Sequence, residues 1–217
     1  MYKPINVADL KNRLSEHLEA VEAGQELIIC RRNVPIARLT AMPMRRNTTQ
    51  LGFDAGKIRL LATSSARRPR PVTGTRFETI RIRRSRRMNL LLDTCAVLFI
   101  AQQPERLSSV ARALVVDPQH VVFTSVVTLG ELACLSERKR IALPGHWKTW
   151  FRGAVERNGW NLLPLTAAIM EEAYCLPEDL RRDPVDRILI ATARLEDMTI
   201  VTTDRLILDY PHVRAQA

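Results

Sequence analysis

The chain has 217 residues, 46% of them hydrophobic, enough for a sizeable core and for two unequal domains. It lacks both the run of roughly 18 apolar residues that a membrane span needs and an N-terminal signal block, and its four cysteines (Cys30, Cys95, Cys134, Cys175) have no metal-type spacing, so reduced buried thiols in a cytoplasmic protein are expected. The net charge of +10 is local: residues 59–87 hold ten arginines against the single Glu78, a net of +9, leaving +1 for the other 188 residues.

In the first 43 residues, Val7, Leu10, Leu14, Leu18 and Val21 fall at helical spacing, with Lys11, Asn12, Arg13, Glu16, His17 and Glu19 on the other face. Asn6 is a suitable N-cap and Gly24 a suitable stop. Residues 26–30 and 34–40 read as two strands around the polar turn Arg31-Arg32-Asn33, and Pro35 puts the second at an edge. A domain this short needs a partner, because it buries too little surface to stand alone.

The run INVADLKNRLSEHLEAVEAGQELIICRRNVPIARL resembles the small α+β DNA-binding domain of the Phd/YefM-type antitoxins. The resemblance implies a homodimer on two-fold operator DNA, with Lys11, Arg31 and the adjacent Arg32 as the DNA-contacting positions. Such cations set register on phosphates, and an arginine can read a guanine edge.

Residues 44–87 read as an Arg-rich, largely disordered linker. LGFDAGKIRL keeps some of the antitoxin resemblance, but after Leu60 the chain is rich in Ser, Thr, Pro and Arg without period, which offers too little apolar surface to offset ordering. The acidic, partly apolar tail with which antitoxins of this type wrap their toxin is missing.

From Met88 to Ala217 strands and helices alternate. Leu90–Leu92 is a strand buried on both faces and ending at Asp93, with a helix after Thr94. Val121–Phe123, Leu162–Leu165 and Thr199–Val201 are further strands. Glu131 lies early in the helix after Ser125, Thr166 caps another helix, and Asp183-Pro184 starts a helix with Asp186 in its first turn. The last strand runs into Thr202-Thr203-Asp204. Alternation implies an α/β fold whose parallel sheet has helices on both faces, with Asp93, Glu131, Asp186 and Asp204 at one edge. Each pair of carboxylates about 4 Å apart repels by roughly 4 kcal/mol at an effective dielectric near 20, a cost that a hard divalent cation removes.

LLLDTCAVLFIA, TSVVTLGELA, RRDPVDRILIATA and IVTTD, in that order, resemble the PIN-domain ribonuclease toxins of VapC type. The resemblance implies a PIN-like sheet and an endoribonuclease whose Mg2+ or Mn2+ is held by Asp93, Glu131, Asp186 and Asp204, which are also the catalytic residues, with Thr94, Ser125 and Thr202 supporting. Arg181 stands where many relatives have histidine, Asp183 reads as a helix cap, and His17, His120, His146 and His212 read as surface or helix-face residues. The expectation is therefore a fusion of an operator-binding antitoxin domain with an RNA-cleaving toxin, homo-oligomeric and open to a separate antitoxin. The alternative is a DNA-binding autorepressor with an inactive PIN-like assembly domain.

Overall fold

The computed structural model describes residues 3–41, 44–61, 87–177 and 183–217, in two compact units, Met1–Met44 and Arg45–Ala217.

The first unit runs β1 (Lys3–Asn6), α1 (Val7–Asn12), α2 (Leu14–Glu22), β2 (Leu27–Arg31) and β3 (Val34–Leu39). The sheet order is β1-β2-β3, the first pair parallel and the second antiparallel, so Pro35 does lie on an edge strand. Arg32 and Asn33 both take positive φ (51° and 64°), as a tight hairpin turn with the right twist requires. Ile5, Val21 and Leu27 form the core, with Leu10, Ile29 and Leu39 against it. The helical stripe is interrupted at Arg13 (φ −131°, ψ 38°), and Leu14 and Leu18 consequently stay 49% and 43% exposed, not buried with Val21.

The second unit adds β4 (Arg59–Leu60), β5 (Asn89–Leu92), α3 (Thr94–Gln102), α4 (Ser109–Val116), β6 (Val121–Ser125), α5 (Val126–Glu137), β7 (Ile141–Ala142), α6 (Trp147–Arg157), β8 (Asn161–Leu163), α7 (Ala167–Tyr174), α8 (Pro184–Leu195), β9 (Thr199–Val201), α9 (Arg205–Leu208) and β10 (Arg214–Gln216). Five strands form one parallel sheet in the order β10-β9-β5-β6-β8. Leu90, Leu91 and Leu92 are wholly buried because β5 is central and covered on both faces. Each such side chain contributes roughly 1.5–3 kcal/mol. The strand order turns at β5, whose neighbours β6 and β9 lie on opposite sides, the position where parallel sheets open a crevice beyond their carboxyl ends. Among the described residues no helix is long and apolar enough to cross a membrane.

The expected linker is corrected in its first part: residues 45–61 are an arm packed onto the second unit. The Asn47 side chain donates to the carbonyls of Val115 (2.9 Å) and Asp117 (2.8 Å), closing the end of α4. The Trp160 indole donates to Thr49 Oγ1 and the Trp150 indole to Asp54 Oδ2, both at 2.8 Å. Gly52 and Asp54 N–H groups reach the carbonyls of Ile100 and Ala101, Ile58 is 2% exposed within the main core, and β4 pairs antiparallel with β7. Periodicity gave no sign of this because the arm is held through caps and indoles, not through a repeating apolar face. Residues 62–86, the most arginine-rich part of the expected linker, lie outside the described residues.

Two smaller expectations are also corrected. All four cysteines are free, but only Cys30 is buried, while Cys95, Cys134 and Cys175 reach the surface. His120, expected on a surface or helix face, is buried and receives the Met88 N–H (3.4 Å), while His17 lies on α2 as expected, packed against Asp9 (3.1 Å).

Gly159 has φ +63°, and a Cβ there would stand 1.9 Å from the Arg46 carbonyl oxygen. Gly159→Ala is thus expected to dislodge the arm, and Ile58→Ala to cost about 2–4 kcal/mol by leaving a cavity. Urea unfolding followed by fluorescence of Trp150 and Trp160 measures both. Losses under about 0.5 kcal/mol, the range of an ordinary surface substitution, would show that the arm contributes nothing.

Candidate functional site

The carboxyl edge of the sheet is built around Asp93. The Asp93 N–H extends the β5–β9 ladder to Val201 O (3.2 Å), and the residue then caps α3, its Oδ1 accepting the Ala96 N–H at 2.5 Å. Its Oδ2 accepts the hydroxyl of Thr202. The carboxyl is 6% exposed and is pushed up to about 7, first by burial and then by the negative charges of Glu131 and Asp186; the bonds from Thr202 and Ala96 work the other way.

Thr202 links two of the acids. Its backbone N–H is held by Gln216 O of β10 (3.0 Å), its hydroxyl donates to Asp93, and the same oxygen accepts the Asp204 N–H (3.0 Å). Asp204 caps α9, its Oδ1 accepting the Leu206 N–H at 2.8 Å.

Glu131, six residues into α5, accepts the Thr94 hydroxyl at 2.5 Å, so α3 and α5 meet through this bond. Its carboxyl is raised by burial and by the charge of Asp183, against the Thr94 bond. Asp186 lies in the first turn of α8, half-buried, and its charge is felt at Asp93. Part of Cys95 reaches solvent, yet its thiol is pushed up by desolvation and then by Asp93, Glu131 and Asp204, with Arg106 opposing. All four acids therefore act on one small region.

The structure places the remaining expected residues as follows. Ser125 is 2% exposed and caps α5 through the Val127 N–H (3.2 Å). Asp183 caps α8 through the Val185 N–H at 2.9 Å, as the Asp-Pro pair implied. Arg181 lies outside the described residues. Lys11, Arg31 and Arg32 belong to the first unit, all exposed, at the end of α1, the end of β2 and in the hairpin turn.

Among the described residues no three acids, histidines or cysteines stand close enough together to hold a metal ion as the side chains are placed. The donor set is nevertheless all oxygen, and one buried carboxylate resists ionising beside its neighbours. That chemistry fits a hard divalent cation that keeps some of its waters.

The arm leaves this edge alone. Its bonds to Ile100 and Ala101 sit at the other end of α3 from Asp93, about 12 Å away at 1.5 Å per residue.

Comparison with known proteins covers the second unit from β5 onward, without the arm. The family described as PIN domain matches residues 90–213, more than half of the chain. Ribonuclease VapC22 of Mycobacterium tuberculosis is 28% identical over 125 residues, covering 58% of this chain and 94% of the relative. Among solved structures, Mycobacterium tuberculosis VapC20, described as a sarcin-ricin loop cleaving toxin, is 23% identical with a TM-score of 0.42, covering 59% of this chain and 99% of its own. VapBC2 from Rickettsia felis, solved with a promoter DNA fragment, is 16% identical with a TM-score of 0.46, covering 59% of this chain and 98% of its own.

A carboxyl raised from its ordinary value near 4 to about 7 favours folding only while protonated, so the metal-free protein loses this contribution as pH rises from about 4 through 7. Asp93→Asn removes the dependence. In EDTA the variant is expected to melt at the wild-type temperature near pH 4 and well above it near pH 8, by up to about 4 kcal/mol in stability. Equal melting temperatures at pH 8 would show that the ionised Asp93 carries no such strain.

Proposed function

This chain belongs to the PIN-domain family, and on that premise we propose that its second unit is a divalent-metal-dependent endoribonuclease, the toxin of a VapC-type pair, joined in one polypeptide to an operator-binding antitoxin domain. The observation that carries the reading is the buried, charge-coupled carboxylate set at the carboxyl edge of the sheet. Asp93, Glu131, Asp186 and Asp204 would hold Mg2+ or Mn2+, which when bound supplies Lewis acidity toward water and the phosphate oxygens.

The chain's own groups do the positioning. Thr202 fixes the rotamer of Asp93 and, through the Asp204 N–H, ties the loop after β9 to the same point. Thr94 holds Glu131 toward α3, and the Ser125 cap sets the start of α5. The reaction is hydrolysis: water adds to phosphorus, and the bond to the 3′ oxygen breaks. Working in the cytoplasm, the chain would meet RNA as its substrate.

For the first unit the reading rests on the resemblance to Phd/YefM-type antitoxins and on its surface. Lys11, Arg31 and Arg32 are exposed cations, and Leu14, Leu18, Val34 and Ile36 are apolar side chains left 43–61% exposed. Its small core needs a further partner, and a second copy on that apolar surface gives the homodimer that a two-fold operator requires. A separate antitoxin remains a further partner of the second unit.

Asp93→Asn and Asp186→Asn are each expected to lower RNA cleavage at least 100-fold with the far-UV spectrum unchanged, and EDTA to do the same to wild type. Mutants that keep metal-dependent cleavage would remove these residues from the site; wild type inert on RNA in Mg2+ and Mn2+ would favour the autorepressor.

The dimer is expected to bind operator DNA with an affinity that falls steeply with salt, and Lys11→Ala or Arg31→Ala to weaken it and lower the salt slope by about 1 each. Operator binding unchanged by deletion of residues 1–43 would move the DNA site to the arginine-rich segment.

A further inference from the structure

A groove of about 550 Å3 runs along α5 and the start of α8. Its floor is apolar, with Val127 and Leu135 from α5 and Val185 and Ile188 from α8. Glu131 and Asp183 line it where it joins the carboxylate edge, and Arg138 and Arg140 line it beyond the last turn of α5. The groove is therefore continuous with the site, with opposite charges in its two parts. Glu131 and Arg138 are seven residues apart, about 10 Å along a helix, the scale of a neighbouring nucleotide.

An edge of four carboxylates repels a polyanion. A strand can be held beside it only if fixed cations take the flanking phosphates. Arg138 and Arg140 are exposed and have no side-chain ion pair or hydrogen bond among the described residues, whereas Arg112, Arg157, Arg187, Arg194 and Arg214 each have a partner. The volume lies inside the range of roughly 300–1,000 Å3 typical of ligand pockets, and the apolar floor between the charged ends suits the face of one unstacked base. A base in a duplex cannot reach such a floor.

We infer that this groove seats the RNA nucleotide next to the scissile phosphodiester, with Arg138 and Arg140 on its outer phosphate. The inference rests on the ribonuclease reading and deepens it. A second copy of the chain could also cover the apolar floor, but apolar contact there gives the two arginines no counter-charge; a phosphodiester brings that charge with it.

The full-length chain decides the matter with a randomised, end-labelled single-stranded RNA 20-mer pool. In Mg2+, the Arg138→Gln, Arg140→Gln double variant is expected to raise KM about tenfold with kcat within about twofold and an unchanged melting temperature, and lysine at both positions to restore most of the loss. The same pool carrying 4-thiouridine, irradiated in EDTA, should crosslink to peptides within residues 126–140. Unchanged KM together with crosslinks confined to other regions overturns the groove. So does a Val127→Glu variant that turns a dimer into a monomer without raising KM, which gives the floor to a second copy. Wild type that crosslinks through residues 126–140 yet cleaves nothing in Mg2+ or Mn2+ overturns the ribonuclease reading and leaves the groove as an RNA-binding site.

Discussion

The second unit depends on a carboxylate placed where burial opposes its charge. Asp93 must end β5, cap α3 and accept the Thr202 hydroxyl, so both its oxygens are committed to fixing the backbone of two chain crossings. Those two bonds lower its pKa, yet burial and the nearby acids win, and the group settles near 7. A residue chosen only for stability at this position would be a neutral cap, because serine or asparagine offers the same bond to the Ala96 N–H without the charge. The acid is retained at a cost to the fold, and the same is true of Glu131 on α5. Strain of this kind, repeated on neighbouring elements, is what separates a site from an ordinary helix cap such as Asp183.

The arm solves a different problem. The ends of α3, α4 and α6 each leave carbonyls without helical partners. Residues 47–54 meet them in turn, at Asp117 and Val115, at Asn158, and at Ile100 and Ala101. Trp150 and Trp160 can be buried only because Asp54 and Thr49 accept their indole N–H groups. The arm and β5 belong to one chain, so their association does not depend on protein concentration. Its grip lies at the far end of α3 from Asp93, which makes it a structural part of the second unit, away from the carboxylate edge.

What could be read from the sequence follows from how each element is stabilised. β5, β6 and β9 are short buried runs ending in polar residues, and Asp183-Pro184 announces α8, so the parallel sheet and the edge that carries the acids were legible. The bond between Thr94 and Glu131 was not, because it joins residues 37 apart whose side-chain directions depend on how α3 and α5 cross. Ser125, expected to support the acids, caps α5, the helix that carries Glu131. β10 was missed because Arg214–Gln216 has no apolar pattern; it is an edge strand, and it enters the site only through the carbonyl of Gln216 that holds Thr202. The arm was illegible for the same reason, its signals being Asn, Thr and Gly in bonds to distant carbonyls.

The two units also differ in what they can do alone. The second buries a continuous core of leucines, valines and two tryptophans. Among its described residues the first has a core cluster of three buried apolar side chains, Ile5, Val21 and Leu27, and leaves Leu14, Leu18, Val34 and Ile36 largely in water, an arrangement that costs it the burial it most needs. A segment of some forty residues with so small a core is marginal by itself. On the proposed reading, association would be set by the first unit and catalysis by the second. Joining them in one chain fixes their ratio at one to one, so any dimer formed through the small unit carries two carboxylate edges, each already held in shape by its own arm.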